Sequence, residues 1–566
     1  MWHSIVRPSV AILLTAGLMV ASDAASPDAA RRATADKPND PTRVIIRIAP
    51  GTPPSALAPV IERLGGTTES VLDIIHAQIA ELPRTAIASL SRHPHVVGIS
   101  PDRAVTGTME RTSATVGASM VRESLGLNGT GVGVAIIDSG VTSWHDDLAA
   151  PGGGQRIARF VDFVRKRQQA YDDYGHGTHV AGIIAGDGFD SGGARMGIAP
   201  GVRLTVLKVL DEEGNGRISD VIAALDYILA NRQALNLRVV NLSVATGVYE
   251  SYHTDPLTLA AKRLVDAGII VVAAAGNFGR TTEGQFAYGG ITSPGNAPWV
   301  LTVGATSHMG TSLRADDRLA AFSSRGPSVI DHAAKPDVVA PGVGIESLSD
   351  PDSTFYRTMS PFLLGGTMVR GYLPYLSLTG TSMSAPVVTG TIALMLQANP
   401  TLTPNAVKAI LQYTAETYEG YDPLTQGAGF LNAAGAVELS RAFGGTSSSY
   451  ESSNWSRHIL WGNQRIRGSR LSADARAWAL GVVWGATNTA SGEPVEWRDA
   501  GTTRNIVWGA RCGGKDCREQ WTIATALDES VVWGTAIDQS VVWGTWAIDD
   551  SVVWGTTFPR STIWPR

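Results

Sequence analysis

Four short motifs in the middle of the chain carry side chains that could act together in catalysis. The apolar strand pattern AIIDSG contains Asp138, and His176 stands between two glycines at a predicted helix start in GHGTHVAGIIAG. Asn277 follows the apolar stretch VVAAAG, and Ser382 opens the helical motif GTSMSAPVVTG. A serine oxygen can attack a carbonyl carbon when a histidine accepts its proton and a carboxylate orients that histidine. A side-chain amide can stabilise the negative charge that then develops on the carbonyl oxygen.

Each of these motifs, taken alone, also has a plain structural interpretation. Asp138 could cap a loop, and the Gly-Asn pair that contains Asn277 is also a turn signal. Ser382 could be an ordinary helix N-cap. Ser384 is a competing hydroxyl, but it lies two residues further into the helix and should point in another direction. The motifs therefore carry weight together rather than singly.

A metal centre is a weaker interpretation of the histidines. His176 and His179 lie three residues apart and face roughly the same way on a helix. Zinc needs a third ligand, however, and the glutamate of the metalloprotease helix motif is absent from this segment. The chain has only two cysteines, which excludes a four-cysteine zinc site. We therefore predict no metal ligand here and expect His179 to be a buried, hydrogen-bonded structural residue.

The elements that must position these residues alternate along the segment 116–445. Apolar strand patterns occur at 133–137, 203–209, 239–242 and 269–274, and helical patterns occur at 218–230, 258–266 and 383–396. This alternation predicts an α/β domain in which helices cover both faces of a mainly parallel sheet. Asp138 would then lie at the carboxyl edge of the sheet, where α/β proteins place their sites. Ser382 would gain the free N–H groups of its helix N-terminus.

The N-terminal end of the chain has a different character. Residues 1–25 combine a positive charge, a short apolar stretch and small residues before a plausible cleavage point, which is typical of a secretory signal peptide. We therefore expect a secreted protein, extracellular or periplasmic, whose oxidising surroundings would allow Cys512 and Cys517 to pair. Residues 26–42 lack periodicity and are interpreted as a linker.

A small unit precedes the α/β segment. Residues 43–105 follow a β-α-β-β-α-β pattern, which predicts a small α+β fold of the split βαβ, ferredoxin-like type. The polar stretch 106–115 comes next and would be easy to cut.

The C-terminal region is rich in tryptophan and repetitive. Residues 446–566 contain 12 of the 15 tryptophans. Three near-copies follow one another: ALDESVVWGT at 526–535, AIDQSVVWGT at 536–545 and AIDDSVVWGT at 547–556. Their composition predicts short β-strands whose tryptophans stack from copy to copy. Exposed tryptophan also stacks on sugars, so the alternative is a module that binds polysaccharide or a cell surface and targets the rest of the chain.

Composition and charge exclude several classes of protein. A net charge of −5 excludes a strongly basic nucleic-acid-binding protein. No apolar run reaches about 18 residues, so no transmembrane helix is predicted. The hydrophobic content of 44% is ordinary for a globular protein.

The four motifs together resemble the signatures of the subtilisin-like serine peptidases, in that family's order of Asp, His, Asn and Ser. The resemblance covers about residues 116–445, and FSSRGP at 322–327 and KPDVVAPG at 335–342 support it. It implies a three-layer α/β fold and a secreted serine endopeptidase that hydrolyses peptide bonds in proteins through an acyl-enzyme, with no required cofactor. The roles it implies are nucleophile for Ser382, general base for His176, orienting carboxylate for Asp138 and oxyanion donor for Asn277.

The resemblance also implies where the substrate binds. The edge strand that would pair with an extended substrate contains Gly214, Asn215 and Gly216. The walls of the primary specificity pocket would contain Ser243, Val244, Ala245, Ala275 and Gly276. Family members commonly have glycine where this chain has Ala245, so we expect a slightly narrower pocket and an apolar preference at the residue before the cut.

Three further expectations follow from the resemblance. Residues 43–105 resemble the family's inhibitory, chaperone-like propeptide, so the protein would be a zymogen that cuts itself within 104–115. Residues 349–375 look like an insertion near the nucleophile that could cover the groove. Many family members bind calcium, and Asp147, Asp187 and Asp190 are acidic in the relevant segments, but the usual calcium-loop pattern is lacking. We therefore assign no metal site and leave a structural calcium ion unplaced.

Overall fold

A computed structural model describes most of the chain as two compact units, residues 1–106 and 107–566. The described residues are 41–72, 76–101, 108–150, 153–281, 284–447, 452, 454–467, 470–495, 502–505 and 530–532. The predicted signal peptide, nearly all of the linker, both cysteines and most of the tandem near-copies lie outside these ranges. Among the described residues, no helix is long and apolar enough to cross a membrane.

The first unit is a four-stranded antiparallel sheet with two short helices. Its elements are β1 (Pro41–Ile48), α1 (Ala58–Arg63), β2 (Thr67–Leu72), β3 (Ala77–Pro83), α2 (Arg84–Leu90) and β4 (Val96–Pro101). The strands lie in the order β2-β3-β1-β4. Alternate residues of β1, Val44, Ile46 and Ile48, are buried against the helices, as the period of two requires.

The second unit is built on a largely parallel sheet. Its strands are β5 (Gly133–Asp138), β6 (Ile157–Asp162), β7 (Arg203–Lys208), β9 (Leu237–Leu242), β10 (Ile270–Ala274), β11 (Leu301–Ser307), β12 (Arg318–Leu319) and β13 (Val338–Pro341). They lie in the order β12-β11-β10-β9-β5-β7-β6, and β13 also pairs with β11. Only the short β12 runs antiparallel. All six residues of β5 are buried, which requires cover on both faces. The predicted α/β sheet is confirmed.

The helices of this unit continue the alternation. They are α3 (Thr108–Thr115), α4 (Ala118–Leu125), α5 (His176–Ala185), α6 (Ile218–Asn231), α7 (Pro256–Asp266), α8 (Thr354–Thr358), α9 (Thr381–Ala398), α10 (Pro404–Thr414), α11 (Pro423–Gln426) and α12 (Ala433–Phe443). Helices α6 and α7 contact each other, and α9 contacts α5, α12 and strands β9, β10, β11 and β13.

Helix α9 is buried along almost its whole length. Every residue from Thr381 to Leu396 is buried, and the helix contains no charged side chain. Gly390 lies so close to Ile198 that a Cβ there would come within 2.6 Å of the isoleucine Cβ. The helix begins at Thr381, so Ser382 lies in its first turn.

The predicted insertion forms structure of its own. It contains α8 and β15 (Leu363–Leu364), and it connects β14 (Ile345–Leu348) to β16 (Tyr375–Leu378). The three strands form a small antiparallel sheet in the order β14-β16-β15. Phe355 of α8 is buried in the main core, so the insertion is packed onto the sheet domain.

The described part of the Trp-rich region also packs onto this core. Strands β17 (His458–Trp461), β18 (Gln464–Arg467) and β19 (Thr502–Asn505) form an antiparallel sheet, and β17 contacts α10. Trp455, Trp461, Trp478 and Trp484 are all buried in the main core. The Trp461 and Trp484 ring centroids lie 4.4 Å apart. The faint copy ILWG overlaps β17, whereas VVWGA at 482–486 lies in turns.

Three of the described lysines in the second unit are buried. Lys335 and Lys408 each place Nζ 2.9 Å from a different carboxylate oxygen of Asp337, and burial lowers the pKa of both lysines. Lys208 donates from Nζ to the carbonyl of Ser139 at 2.6 Å and to Asp173 at 2.5 Å. Each buried ammonium therefore has several oxygen partners, which offsets the cost of removing it from water.

Candidate active site

A carboxylate and a histidine meet at the end of β5. Asp138 is the last residue of that strand and is fully buried. Its Oδ1 accepts hydrogen bonds from His176 Nδ1 at 2.8 Å and from the backbone N–H of Ser139 at 2.7 Å. Because a carboxylate only accepts, the proton of the imidazole lies on Nδ1, and Nε2 is the basic nitrogen. The pair is thus oriented for proton transfer at Nε2.

The helix start that carries His176 depends on its neighbours. Gly175 has a φ of 102°, and a Cβ there would lie 2.5 Å from Ser353 Oγ. A Cβ on Gly177 would lie 2.1 Å from the carbonyl oxygen of Gly140, in the loop after Asp138. Glycine on both sides therefore lets the helix approach the strand end closely enough for the hydrogen bond to form.

The first turn of α9 brings a serine and an amide to one space. The Oγ of Ser382 is buried and has no hydrogen-bond partner among the described residues. Asn277 accepts at Oδ1 from both the backbone N–H and the hydroxyl of Thr381, each at 3.0 Å. A Cβ on Gly380 would lie 3.4 Å from Asn277 Nδ2 and 3.6 Å from Ser382 Oγ. The donor end of the amide and the hydroxyl therefore share the space beside Gly380.

The two predicted pocket walls converge on this same turn. Ser243 is buried and donates from Oγ to the carbonyl of Ser382 at 2.8 Å, so its hydroxyl holds the backbone under the nucleophile. The N–H of Gly276 donates to Thr381 Oγ1 at 3.2 Å. Val244 and Ala275 are buried, and Ala245 is half-buried. A wall formed by these segments would thus be mostly backbone and small side chains.

The predicted substrate edge is the short strand β8 (Asn215–Arg217), preceded by Gly214. Residues 215 and 216 are half-buried. Gly214 has a φ of 80°, and a Cβ there would lie 2.5 Å from the ring of Tyr174. Leu210 bridges to Gly216, and the preceding residue, Val209, donates its N–H to the carbonyl of Asp138 at 2.8 Å. The residues Val209 and Leu210 therefore connect the predicted substrate edge to the end of β5, where Asp138 lies.

His179 and Ser384 behave as the sequence predicts. His179 is fully buried, and its Nε2 lies 2.9 Å from the carbonyl oxygen of Leu376 and 3.1 Å from that of Ile345. Burial lowers the pKa of His179 to about 3, so it is neutral. Ser384 Oγ lies against Gly342, where a Cβ would come within 2.1 Å. Neither residue takes part in the group around Ser382.

The chain is similar in sequence to known peptidases. The model of the subtilase family, Peptidase_S8, matches residues 129–444. The chain belongs to the subtilase family. It is 35% identical over 365 residues to serine protease AprX of Bacillus subtilis, covering 63% of this chain and 78% of that protein. It is 32% identical over 386 residues to subtilisin E of Bacillus subtilis, covering 67% and 85%. It is also 33% identical over 344 residues to an extracellular serine proteinase of a Thermus species, covering 59% and 70%.

As a subtilase, the protein is a serine-type endopeptidase and needs no catalytic cofactor. Among the described residues, a cluster of His145, Asp147 and Asp190 is a candidate site for a structural cation, because it offers three donor atoms within 4.8 Å of one another. Most of these donor atoms already form hydrogen bonds or ion pairs with other residues of the protein. Asp147 accepts from the N–H of Asp190 and from the hydroxyl of Tyr375, and Asp190 Oδ1 accepts from Arg370 Nε at 2.7 Å.

The donor set does not suit calcium. Calcium takes six to eight oxygen ligands, whereas His145 offers ring nitrogens that already face the N–H of Asp147 and the carbonyl of Pro374. Arg370 instead supplies positive charge to Asp190 and, at 2.6 Å, to Asp146. Asp187, the third predicted acid, pairs with Arg156 at 2.8 Å. In this subtilase Arg370 therefore neutralises Asp190, and Arg156 neutralises Asp187.

The sequence did not reveal two sets of supporting residues. Ser139 accepts from the N–H of Gly177 at 2.9 Å and donates to Asp172, whose other oxygen accepts from Thr178. Ser139 follows Asp138 directly in the motif, and this position was the only sequence feature that could have indicated its supporting role. Phe355, from the insertion, lies edge-on to His176 with ring centroids 6.1 Å apart. No local signal connects Phe355 to this histidine.

Proposed function

We propose that the protein is an exported serine endopeptidase, made as a zymogen that processes itself, with Ser382, His176 and Asp138 as its catalytic residues. The observation that carries this proposal is the buried hydrogen bond from His176 to Asp138, combined with the position of Ser382 in a helix first turn beside Asn277. Ser382 Oγ attacks the scissile carbonyl carbon while His176 Nε2 takes the hydroxyl proton. Asp138 stabilises the resulting imidazolium.

The negative charge of the tetrahedral intermediate develops on the carbonyl oxygen. Asn277 Nδ2 and the backbone N–H of Ser382 donate to that oxygen in this mechanism. Thr381 fixes the amide orientation because it occupies the Oδ1 end. The C–N bond then breaks as His176 returns its proton to the leaving amine. A water molecule hydrolyses the acyl-enzyme with His176 as base, which releases the carboxylic acid and restores Ser382.

The substrate chain is proposed to pair with Gly214, Asn215 and Gly216, and its side chain before the cut is proposed to enter the pocket lined by residues 243–245 and 275–277. Ala245 favours a slightly narrow, apolar pocket. The N-terminal unit, with its β2-β3-β1-β4 sheet, is proposed to be the inhibitory propeptide, which is released by a cut within 104–115. A signal peptide over residues 1–25 is proposed to direct export.

The sugar-binding alternative for the C-terminal region receives no support from the described residues. Trp455, Trp461, Trp478 and Trp484 are buried in the core, so their faces are not available to stack on a polysaccharide. The tryptophans of the three tandem near-copies lie outside the described residues, and for them surface binding stays a prediction.

The test compares wild type with Ser382→Ala and the matched control Ser384→Ala, which removes a buried hydroxyl from the same helix. Intact mass and N-terminal sequence are measured on protein recovered from the medium, and kcat on a chromogenic peptide. We expect wild type and Ser384→Ala to begin within 104–115. Ser382→Ala should keep residues 43–105 and lose about 10⁶-fold in kcat. Normal cleavage and activity in Ser382→Ala would refute the assignment of the nucleophile.

A further inference from the structure

A segment of the C-terminal near-copies lies on the proposed substrate edge. Residues Ser530–Val532 form strand β20, which pairs antiparallel with β8 in a two-stranded sheet. The register places Ser530 opposite Arg217, Val531 opposite Gly216 and Val532 opposite Asn215. A strand edge forms this ladder with one chain at a time, so a segment that is paired with β8 excludes another chain from the same backbone groups.

This edge is continuous with the catalytic group. On one side, Gly216 bridges to Leu210, and the neighbouring Val209 is hydrogen-bonded to the carbonyl of Asp138. On the other side, a Cβ on Gly214 would lie 2.5 Å from the ring of Tyr174, whose centroid lies 4.3 Å from that of Phe355. Phe355 in turn lies against His176. A chain paired with β8 therefore lies beside the residues proposed to cleave peptides.

The paired segment is repeated in the sequence. Ser-Val-Val-Trp-Gly-Thr occurs without change at 530–535, 540–545 and 551–556. The two valines in each copy favour an extended backbone. About 25 residues connect β19 to β20, and an extended chain spans at most about 3.3–3.6 Å per residue. The second and third copies lie further along the chain from β19, so the segment that connects each of them to β19 is longer still. All three copies are therefore candidates for the same place on β8.

We propose that the Ser-Val-Val-Trp-Gly-Thr copies are intramolecular ligands of the substrate-binding edge, which they occupy in turn and thereby inhibit the peptidase in competition with substrate. This inference rests on the proposed function of β8 as the substrate edge. A tether of this kind gives an effective concentration of about 1 mM per copy. If each copy binds with a millimolar dissociation constant, three copies raise the apparent KM about fourfold and leave kcat unchanged.

The test replaces both valines of every copy with proline in the full-length chain, at 531, 532, 541, 542, 552 and 553. In an antiparallel ladder, one of two adjacent residues directs its N–H and C=O to the partner, so the double change removes that donor in either register. The matched control replaces the same valines with threonine, which is also β-branched and keeps every backbone N–H. A third variant carries the prolines in the first copy only.

Steady-state kinetics on a short chromogenic peptide are measured on mature protein whose intact mass shows the complete C-terminus. We expect the proline variant to have an apparent KM about fourfold below wild type with unchanged kcat, and the threonine control to match wild type. The first-copy variant should lower KM only about 1.3-fold, because two copies remain. Equal KM values in the wild-type, proline and threonine proteins would overturn the inference. Inactive wild-type and threonine proteins would instead refute the proposed function.

A second readout does not depend on turnover. The mature proteins are blocked with a sulfonyl fluoride that reacts with active serine, and amide hydrogen exchange is followed over residues 214–217. The segment should exchange more slowly in wild type and in the threonine control than in the proline variant. The same exchange rate in all three proteins would contradict pairing of the copies with β8.

Discussion

The neutralisation of Asp190 by Arg370 leads to a measurable stability prediction. Asp190 is fully buried, and the insertion supplies its cation through a 2.7 Å contact from Arg370 Nε. Arg370→Met would keep the length of the side chain and remove the charge. Removing one partner of a buried pair typically costs 3–5 kcal/mol, because it leaves an uncompensated buried charge. Arg370 itself is 27% exposed, so solvent screens the pair and the loss should fall below that range. Its contact with the exposed Asp146 should add less than about 1 kcal/mol.

The assay is urea unfolding at pH 8, followed by tryptophan fluorescence, with every variant in a Ser382→Ala background that prevents self-digestion. Asp190→Asn and the double variant Asp190→Asn with Arg370→Met complete a mutant cycle. The double variant should be more stable than Arg370→Met, since no buried charge is left without a partner, and the coupling should be about 2 kcal/mol. An unchanged stability of Arg370→Met, or additive single changes, would refute this account. Calcium chelation should leave the wild-type midpoint unchanged, because Arg370 and Arg156 already neutralise Asp190 and Asp187.

Two further predictions concern the catalytic residues and pH. Asn277→Ala should lower kcat by about 10²–10³ with little change in KM, since the amide acts on the transition state. An equal loss in kcat from Ser243→Ala would show that the positioning of Ser382, and not the amide donor, makes the larger contribution to kcat. Burial, with the nearby charge of Asp172, raises the pKa of Asp350 to about 7. The folded state therefore binds the proton more tightly than the unfolded chain, and stability should fall as pH rises from about 4 through 7, by up to about 4 kcal/mol. Urea midpoints at pH 5 and 8, which cover about two of these three pH units, should show most of that fall in wild type and a flatter profile in Asp350→Asn.

Much of the candidate site was predictable because its residues follow simple rules of α/β architecture. Asp138 ends an apolar strand and Ser382 lies at the start of a buried helix, so the sequence pattern alone brings their surroundings to the carboxyl edge of the sheet. The role of Ser243 was less visible. Its hydroxyl is directed at the backbone of Ser382, a contact across 139 residues that no local pattern encodes.

The contributions of the insertion and the C-terminal region could not be predicted for the same reason. Phe355 and Arg370 act on His176 and Asp190 through contacts that depend on how a long insertion folds back. The spacing of the tryptophans indicated a repeat, but the spacing alone does not show which part of the protein each tryptophan packs against. Trp484 packs against Trp461 and over the Nζ of Lys408, 4.7 Å from its ring centroid, and so completes the core of the peptidase unit.

The three buried lysines can be used to detect opening of the folded structure. Lys208, Lys335 and Lys408 are buried, so a reagent that acylates amines reaches Lys166 and Lys262 first among the described lysines. Attachment of a dye or a solid support through amines would therefore be confined to few positions. Acylation of the three buried amines requires the fold to open. Labelling them in a timed pulse, followed by mass spectrometry, would therefore measure how often the structure opens around each lysine.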